Sequence, residues 1–401
     1  MKRYVRLLKS EPVLARLSFI QLIAYFGAWF SNVAIYTLLL EMGVSATVVA
    51  LTAALHFLPG VLQAPFSGVL IDRFHPKKMM LITLAVEIVC TLLLLLVTDE
   101  SALPLLFVLI VLRMAAASFY FTIEMALLPK ILHVKQLQMA NEIHSIIWSI
   151  SYTLGMAISG FVVYKVGVRV AFIIDGLLFI LSFMLLFNVH IKVRVNTTAS
   201  NVLGMFKETL AYIKQDQKVL YLLVLHALVG LTAFDALVAL MAHEYYTHLV
   251  ATSLAIGLLH ASRALGLVVG PVFIGKHMNN ARLGYLFLFQ AFAIMIWAAV
   301  MPHFYLSLLA SVLVGLCTTT LWSYTYTLLQ HHTDPAYYGR VVAYNDMLFL
   351  SVSAAISLVI GLCADAAVSL RVITLMLGLS FIGAMLYYYW LQRHFELKEI
   401  H

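Results

Sequence analysis

Residues 68–78 read Gly-Val-Leu-Ile-Asp-Arg-Phe-His-Pro-Lys-Lys, an acid set inside a basic turn. Long apolar runs flank it, Thr47 to Ile71 before and Met79 to Val97 after. Each is close to the roughly 20 residues a helix needs to cross hydrocarbon. Backbone left unpaired in lipid is excluded, so a short polar turn between two such runs joins two helices that cross a bilayer in opposite directions.

Working outward, ten more runs of the same kind fill the chain: Val13 to Leu40, Leu103 to Pro129, Ala140 to Tyr164, Val170 to His190, Val219 to Ala242, Thr252 to Gly275, Leu283 to Met301, Phe304 to Gln330, Val341 to Ala364 and Val372 to Leu391. They are numbered spans 1 to 12 in chain order. The fold class this predicts is an all-α membrane protein of twelve transmembrane helices. With 63% hydrophobic residues, 11% charged residues and a mean hydropathy of +0.98, the chain is unsuited to life as a water-facing globule. It leaves no segment for a soluble catalytic domain and contains no phosphate-cradling Walker loop, so neither an enzyme nor a directly ATP-driven pump is expected. Cys90, Cys317 and Cys363 fall inside spans without close spacing and read as packing residues, so no metal site and no cofactor are expected.

An even number of crossings puts both termini on one face. Lys2, Arg3, Arg6, Lys9, Arg73, Lys77, Lys78, Lys130, Lys135 and the basic residues near 192–218 share that face, against Lys165, Arg169 and Arg371 opposite. The positive-inside rule makes it cytoplasmic, and topology with anionic headgroups accounts for the net charge of +7 without a nucleic-acid partner. The first span is too long for a cleaved leader and lacks a small-residue cleavage site, so it reads as retained. The polar stretch 191–218 splits the spans six and six, which predicts a bundle over 1–190, a cytoplasmic linker over 191–218 and a second bundle over 219–401. Leu127-Leu128, a polar turn and Asn141 are echoed by Leu328-Leu329, a polar turn and Asn345, as expected of two repeats facing a central cavity.

Within the opening turn, Gly68 permits close helix approach, Asp72 is placed to meet a cation or a helix N-terminus, and Arg73, Lys77 and Lys78 anchor the turn. This pattern resembles the cytoplasmic signature of the major facilitator superfamily, G-x-x-x-D-R/K-x-G-x-R/K-R/K, with His75 in place of the second glycine. The resemblance extends over nearly the whole chain to a branch of enterobactin-type siderophore exporters and macrolide efflux proteins. It is carried by Leu58-Pro59-Gly60, Leu128-Pro129 to Ala140-Asn141, Trp148 to Gly155 with Gly160, Ala171-Phe172 to Asp175 before Phe179, Tyr212-Ile213 and Gly339-Arg340-Val341. It implies two six-helix bundles in a bacterial inner membrane and a latch between Asp72 and Arg340 that favours the outward-open state.

An ionisable group in hydrocarbon costs about 2.5–3.5 kcal/mol on insertion scales and needs a cavity, a partner or an interface. Glu41, Asp99, Glu100, Glu244 and Asp365 lie at interfaces. Arg113, Tyr120 and Glu124 share one face of span 4 by their spacing of seven and four, and the resemblance makes Arg113 a proton-coupling element. Asp235, deep in span 7, reads as a proton or cation site. His226, nine residues earlier, falls on the opposite face of a continuous helix and reads as a packing histidine. His260 and Arg263 share a face of span 8, where substrate contact and an internal hydrogen-bond network are both open. The coupling set is therefore Asp235, Glu124 and Arg113.

Span 1 carries a polar-aromatic stripe at Gln21, Tyr25, Trp29, Asn32 and Tyr36, and span 10 a shorter one at Thr319, Trp322 and Tyr326. Helix cores in lipid favour small residues, so these stripes, with Tyr120, His260 and Arg263, read as the wall of a wet cavity for an amphipathic, ring-bearing substrate. The function expected is a secondary active transporter, proton-coupled and exporting organic amphipaths by alternating access, with small molecules, protons and the bilayer as partners and a monomeric state. Fifteen scattered histidines motivate an alternative, export of a divalent metal or chelate. A receptor that has lost transport would need no charge in its spans.

Overall fold

The computed structural model describes residues 2–191, 193 and 202–397, with the backbone alone at a few helical positions, Gly68 and Asp72 among them. Among the described residues all regular structure is helical, and twelve helices are long and apolar enough to cross a membrane. Spans 1 to 6 are Pro12–Glu41, Ala46–Arg73, Pro76–Leu93, Leu103–Ile131, Val134–Val166 and Val168–Phe187. Spans 8 to 12 are Thr252–Phe273, Asn280–Val300, Phe304–His332, Tyr338–Asp365 and Leu370–His394. Two amphipathic helices lie outside this set, an N-terminal one over Lys2–Ser10 and a strap helix over Val202–Gln215 within the polar stretch.

Local chemistry sets the ends. Span 1 closes with Gly43 at φ 72°, whose N–H bonds Leu40 O while Val44 N–H reaches back to Leu39 O, a Schellman ending. Span 3 begins with Pro76 as its first residue behind an extended His75 at φ −67°. That conformation needs no glycine, so histidine in place of the second signature glycine leaves the turn unstrained.

Span 7 departs from the sequence expectation of one run over Val219 to Ala242. It is an α-helix over Gln217–Ala227, a 3-10 turn over Leu228–Thr232 and a second α-helix from Asp235 to Tyr246. Packing supports the break, because two of its carbonyls accept hydrogen bonds from side chains of other spans. Thr232 O accepts from the Arg263 guanidinium at 2.8 Å, and Gly230 O accepts from Ser353 Oγ at 3.4 Å. Irregular backbone inside a membrane protein persists only with such partners.

The chain divides into two compact units, Met1–Leu38 with Phe66–Ser200, and Leu39–Pro65 with Asn201–His401. The dividing point in span 2 falls at Pro65, an in-helix proline that removes a backbone donor. In the first unit, span 3 packs against spans 4 and 6 around Met80, Leu84, Ile123 and Phe179. In the second, spans 8 and 10 approach so closely that a Cβ on Gly266 would strike Val312 O and one on Gly315 would strike Arg263 O. Asn280 fastens the start of span 9 to spans 10 and 12. It accepts from Tyr324 Oη at 2.9 Å, Tyr388 Oη at 2.7 Å and Gln392 Nε2 at 3.1 Å.

Candidate functional site

Each unit holds its own buried polar clusters. In the first, Arg113 of span 4 donates from Nη2 to Asp175 Oδ2 of span 6 at 3.0 Å. Ser31 of span 1 donates to the same carboxylate oxygen. Glu87 of span 3, 3% exposed, lies within electrostatic reach of both Arg113 and Asp175. Gly27 makes the room on span 1, where any Cβ would press on Asp175 Oδ1. One guanidinium is thus paired with Asp175, with a second carboxyl group, Glu87, within electrostatic reach among packed helices.

A second cluster lies elsewhere along span 4. Tyr25 Oη donates to Glu124 at 3.3 Å, His144 Nδ1 stands 4.0 Å from the same carboxylate, and Gln21 is hydrogen-bonded to His144. The His144 ring meets Tyr25 and Phe121 edge-on. Eleven residues of helix, about 16 Å of rise, separate Glu124 from Arg113. The shared face of span 4 therefore serves two clusters: Arg113 has Asp175 as its carboxylate partner, and Tyr120, 2% exposed, is buried.

In the second unit, the break in span 7 makes Asp235 the first residue of a helix, where a carboxylate meets the positive end of the dipole. His260 Nε2 lies 3.8 Å from Asp235 Oδ1. Arg263 points to the break, with its guanidinium 5.0 Å from the Phe234 ring as well as bonded to Thr232 O. His226 is bonded through Nδ1 to Thr325 Oγ1 at 2.8 Å and borders Trp322 and Tyr326, which stack at 5.0 Å. Trp322 is exposed, while Tyr326 and Thr319 are half-buried.

Of the span 1 stripe, Gln21, Asn32 and Tyr36 are buried, and Trp29 packs edge-on against Tyr152 at 4.7 Å and Trp148 at 5.8 Å of span 5. Among the described residues no group of three or more His, Cys, Asp or Glu is placed to hold a metal ion.

The family model for the Major Facilitator Superfamily matches residues 17–246, more than half of the chain. The chain belongs to the Major Facilitator Superfamily. A curated relative, the uncharacterized MFS-type transporter YkuC of Bacillus subtilis (strain 168), is 25% identical over 213 residues. That match covers 50% of this chain and spans 50% of the relative's length. Solved structures share the fold. The nucleoside transporter NupG aligns with a TM-score of 0.69 at 13% identity over 96% of this chain and 100% of its own. A bacterial homolog of the human lysosomal transporter Spinster gives 0.74 at 14% over 97% and 98%, and a bacterial homologue of the iron transporter ferroportin 0.69 at 15% over 94% and 98%.

In this major facilitator chain the side chain of Asp72 lies outside the described residues. Arg73 and Lys78 are exposed, while Lys77 donates from Nζ to Phe187 O at 2.8 Å, a cation on the last carbonyls of span 6. Arg340 donates to Glu208 of the strap helix at 3.1 Å and to Ala336 O at 3.1 Å. Tyr337 Oη donates to Glu208 at 3.1 Å, Tyr212 stacks on Tyr337 at 4.3 Å, and Tyr344 Oη donates to Phe206 O at 2.9 Å. The strap helix is thereby docked on the start of span 11.

Sequence reasoning missed Glu87 and Glu208, and read Asp175 only as part of the family resemblance. Glu87 carried a usable signal, since it is an ionisable residue in the middle of a span. Glu208 carried none, being an ordinary acid in a polar segment.

Proposed function

We propose that the protein is a secondary active transporter that exchanges protons for amphipathic organic small molecules, exporting them across a bacterial inner membrane with both termini cytoplasmic. The observation that carries this reading is the Arg113, Asp175 and Glu87 cluster. Two carboxyl groups within electrostatic reach of one guanidinium are electroneutral when one of them is protonated, and a change in proton occupancy changes the charge buried among four helices. Asp235 and Glu124, each beside a histidine, supply further carboxylates in the two units. The superfamily's transporters work by alternating access between six-helix halves, which exposes such groups to each face in turn.

The substrate class rests on the aromatic surface of Trp322 and Tyr326, which offers stacking area with few charges, and on the resemblance to siderophore and macrolide exporters. A direct test is pH-gradient-driven efflux from proteoliposomes, with a cationic dye, a siderophore and a divalent metal compared side by side. Uphill efflux of the organic probes that collapses in Asp175→Asn, Glu87→Gln or Asp235→Asn, with substrate binding kept, is the expected result. Full uphill activity in all three and in Glu124→Gln refutes coupling through these acids. Gradient-driven movement of the metal alone overturns the substrate class.

A further inference from the structure

Spans 2 and 11 meet at the ends that lie opposite the chain termini. Asp365, the last residue of span 11, accepts a hydrogen bond from Ala46 N–H on one carboxylate oxygen and from Thr47 N–H on the other, both at 2.9 Å. These are the first two amides of span 2, so the helix receives its N-terminal cap from a residue 319 positions away. A carboxylate there is held by charge-assisted hydrogen bonds and by the positive end of a 28-residue helix. The residue ahead of the helix, Ser45, accepts from Val48 N–H through its hydroxyl at 3.4 Å and leaves the first amides to Asp365.

Two further features bring the carboxylate into place. One turn back on span 11 is Gly361, where a Cβ would collide with Ala50 Cβ and lie 2.7 Å from Ala46 O, so only glycine admits span 2 this closely. One turn before that is the buried Ser357, which continues a small-residue face. Immediately after Asp365 the helix stops in a Schellman ending, with Val368 N–H on Cys363 O at 3.0 Å and Ala367 N–H on Ala364 O at 3.0 Å. Its left-handed residue is Ala367 at φ 60°, a strained choice where span 1 uses Gly43. The end of span 11 is therefore fixed at the residue that carries the acid.

Both partners fall in the second compact unit, yet span 2 belongs by chain order to the first six spans and span 11 to the last six. Alternating access requires these two spans to part when the face opposite the termini opens. We propose that Asp365 is a gate residue for that face, clamping the start of span 2 to the end of span 11 in the conformation described here and releasing it on opening. The inference rests on alternating access but on neither the coupling ion nor the substrate class. Asp365 touches no substrate in this reading. It is a positioning residue that sets the balance between two conformations.

The test is a distance measurement that needs no substrate and no pH gradient. With Cys90, Cys317 and Cys363 replaced, nitroxide labels at Glu41→Cys and Val372→Cys report on the span 1–2 and span 11–12 corners by double electron–electron resonance in nanodiscs. Both sites are exposed. Asp365→Asn keeps the side-chain shape and removes the charge, and Gly361→Ala inserts the smallest wedge. The expected result is that each variant raises the ratio of long-distance to short-distance population roughly three- to tenfold. Parent-like distributions in both folded variants overturn the gate and reduce Asp365 to a static cap, and failure of Asp365→Asn to fold does the same. Proton-coupled efflux that persists alongside parent-like distances would sink the gate alone, leaving the proposed function intact.

Discussion

Arg113 and Asp175 stand 62 residues apart in the chain and 3.0 Å apart in the fold, each almost fully withdrawn from solvent. Glu87, buried on span 3, lies within electrostatic reach of both. The pair joins span 4 to span 6 and, through Ser31, to span 1. A buried ion pair contributes little net stability of its own, but loss of one partner leaves a charge unpaired.

This arrangement predicts a specific non-additivity. Asp175→Asn removes the carboxylate bonded to Arg113 and Glu87→Gln the second carboxyl group within electrostatic reach, whereas the double variant leaves Arg113 without either. The double variant should lose more stability than the two singles summed, by about 1–3 kcal/mol. Thermal unfolding in detergent of the parent, both singles and the double measures it, and strictly additive losses would show that the two acids do not share Arg113.

The strap helix gives a second prediction, with a pH sign. The Tyr337 hydroxyl donates to the Glu208 carboxylate, which favours the neutral phenol and raises its titration above the usual 10. A raised value means that the contact is complete at neutral pH and is lost only as pH climbs through that raised value. Glu208→Gln should return the Tyr337 titration, read by ultraviolet difference absorbance against Tyr337→Phe, toward its usual value. Because Glu208 and Arg340 are solvent-accessible, the melting temperature should barely move. Proteolysis at the strap should nevertheless quicken, and unchanged cleavage would show that the docking does not hold the strap.

The spans were legible because a bilayer imposes one length and one composition on every crossing, so the run from Thr47 to Ile71 announces itself without knowledge of its neighbours. The break in span 7 was not legible: Gly230 lies in a run as apolar as any other, and the side chains that satisfy two of the carbonyls at the break come from spans 8 and 11. Arg113 could be singled out by its charge. Its partner could be reached only through a family pattern, since helix spacing relates residues within one span and says nothing of which spans touch. Asp365 shows the same limit more sharply. Its place at a span end fits an ordinary interfacial acid, and only the fold reveals two amides of span 2 against its carboxylate.

The ending of span 11 predicts a stabilising substitution. Ala367 holds a left-handed conformation that costs an L-residue about 1 kcal/mol and glycine almost nothing. Part of that gain is offset by the greater freedom glycine has in the unfolded chain. Ala367→Gly should therefore raise stability by up to about 0.5 kcal/mol and Ala367→Val should lower it by more, because a β-branched residue tolerates positive φ least. A lower melting temperature for the glycine variant than for the parent would contradict the strained ending.

Trp29 and Trp322 share a sequence reading as cavity wall, but the fold gives them different surroundings, and their alanine variants should separate. Trp29 packs on Tyr152 and Trp148, and its Cβ lies where a side chain on Gly155 would have to go, so it wedges span 1 against span 5. Its removal takes a half-buried ring out of packing and should cost about 2–3 kcal/mol of stability. Trp322 is exposed and stacks on Tyr326 beside His226, so Trp322→Ala leaves little unfilled and should change stability by less than about 1 kcal/mol. If that exposed face receives the ring of a substrate, the same variant should weaken binding of an aromatic probe by the worth of one stacked pair, about 0.5–1.5 kcal/mol or up to roughly tenfold in Kd. Melting temperature and fluorescence-detected binding, measured on both variants, resolve the two roles. Parent-like affinity in Trp322→Ala would return span 10 to a packing role, and an unchanged melting temperature in Trp29→Ala would remove the wedge.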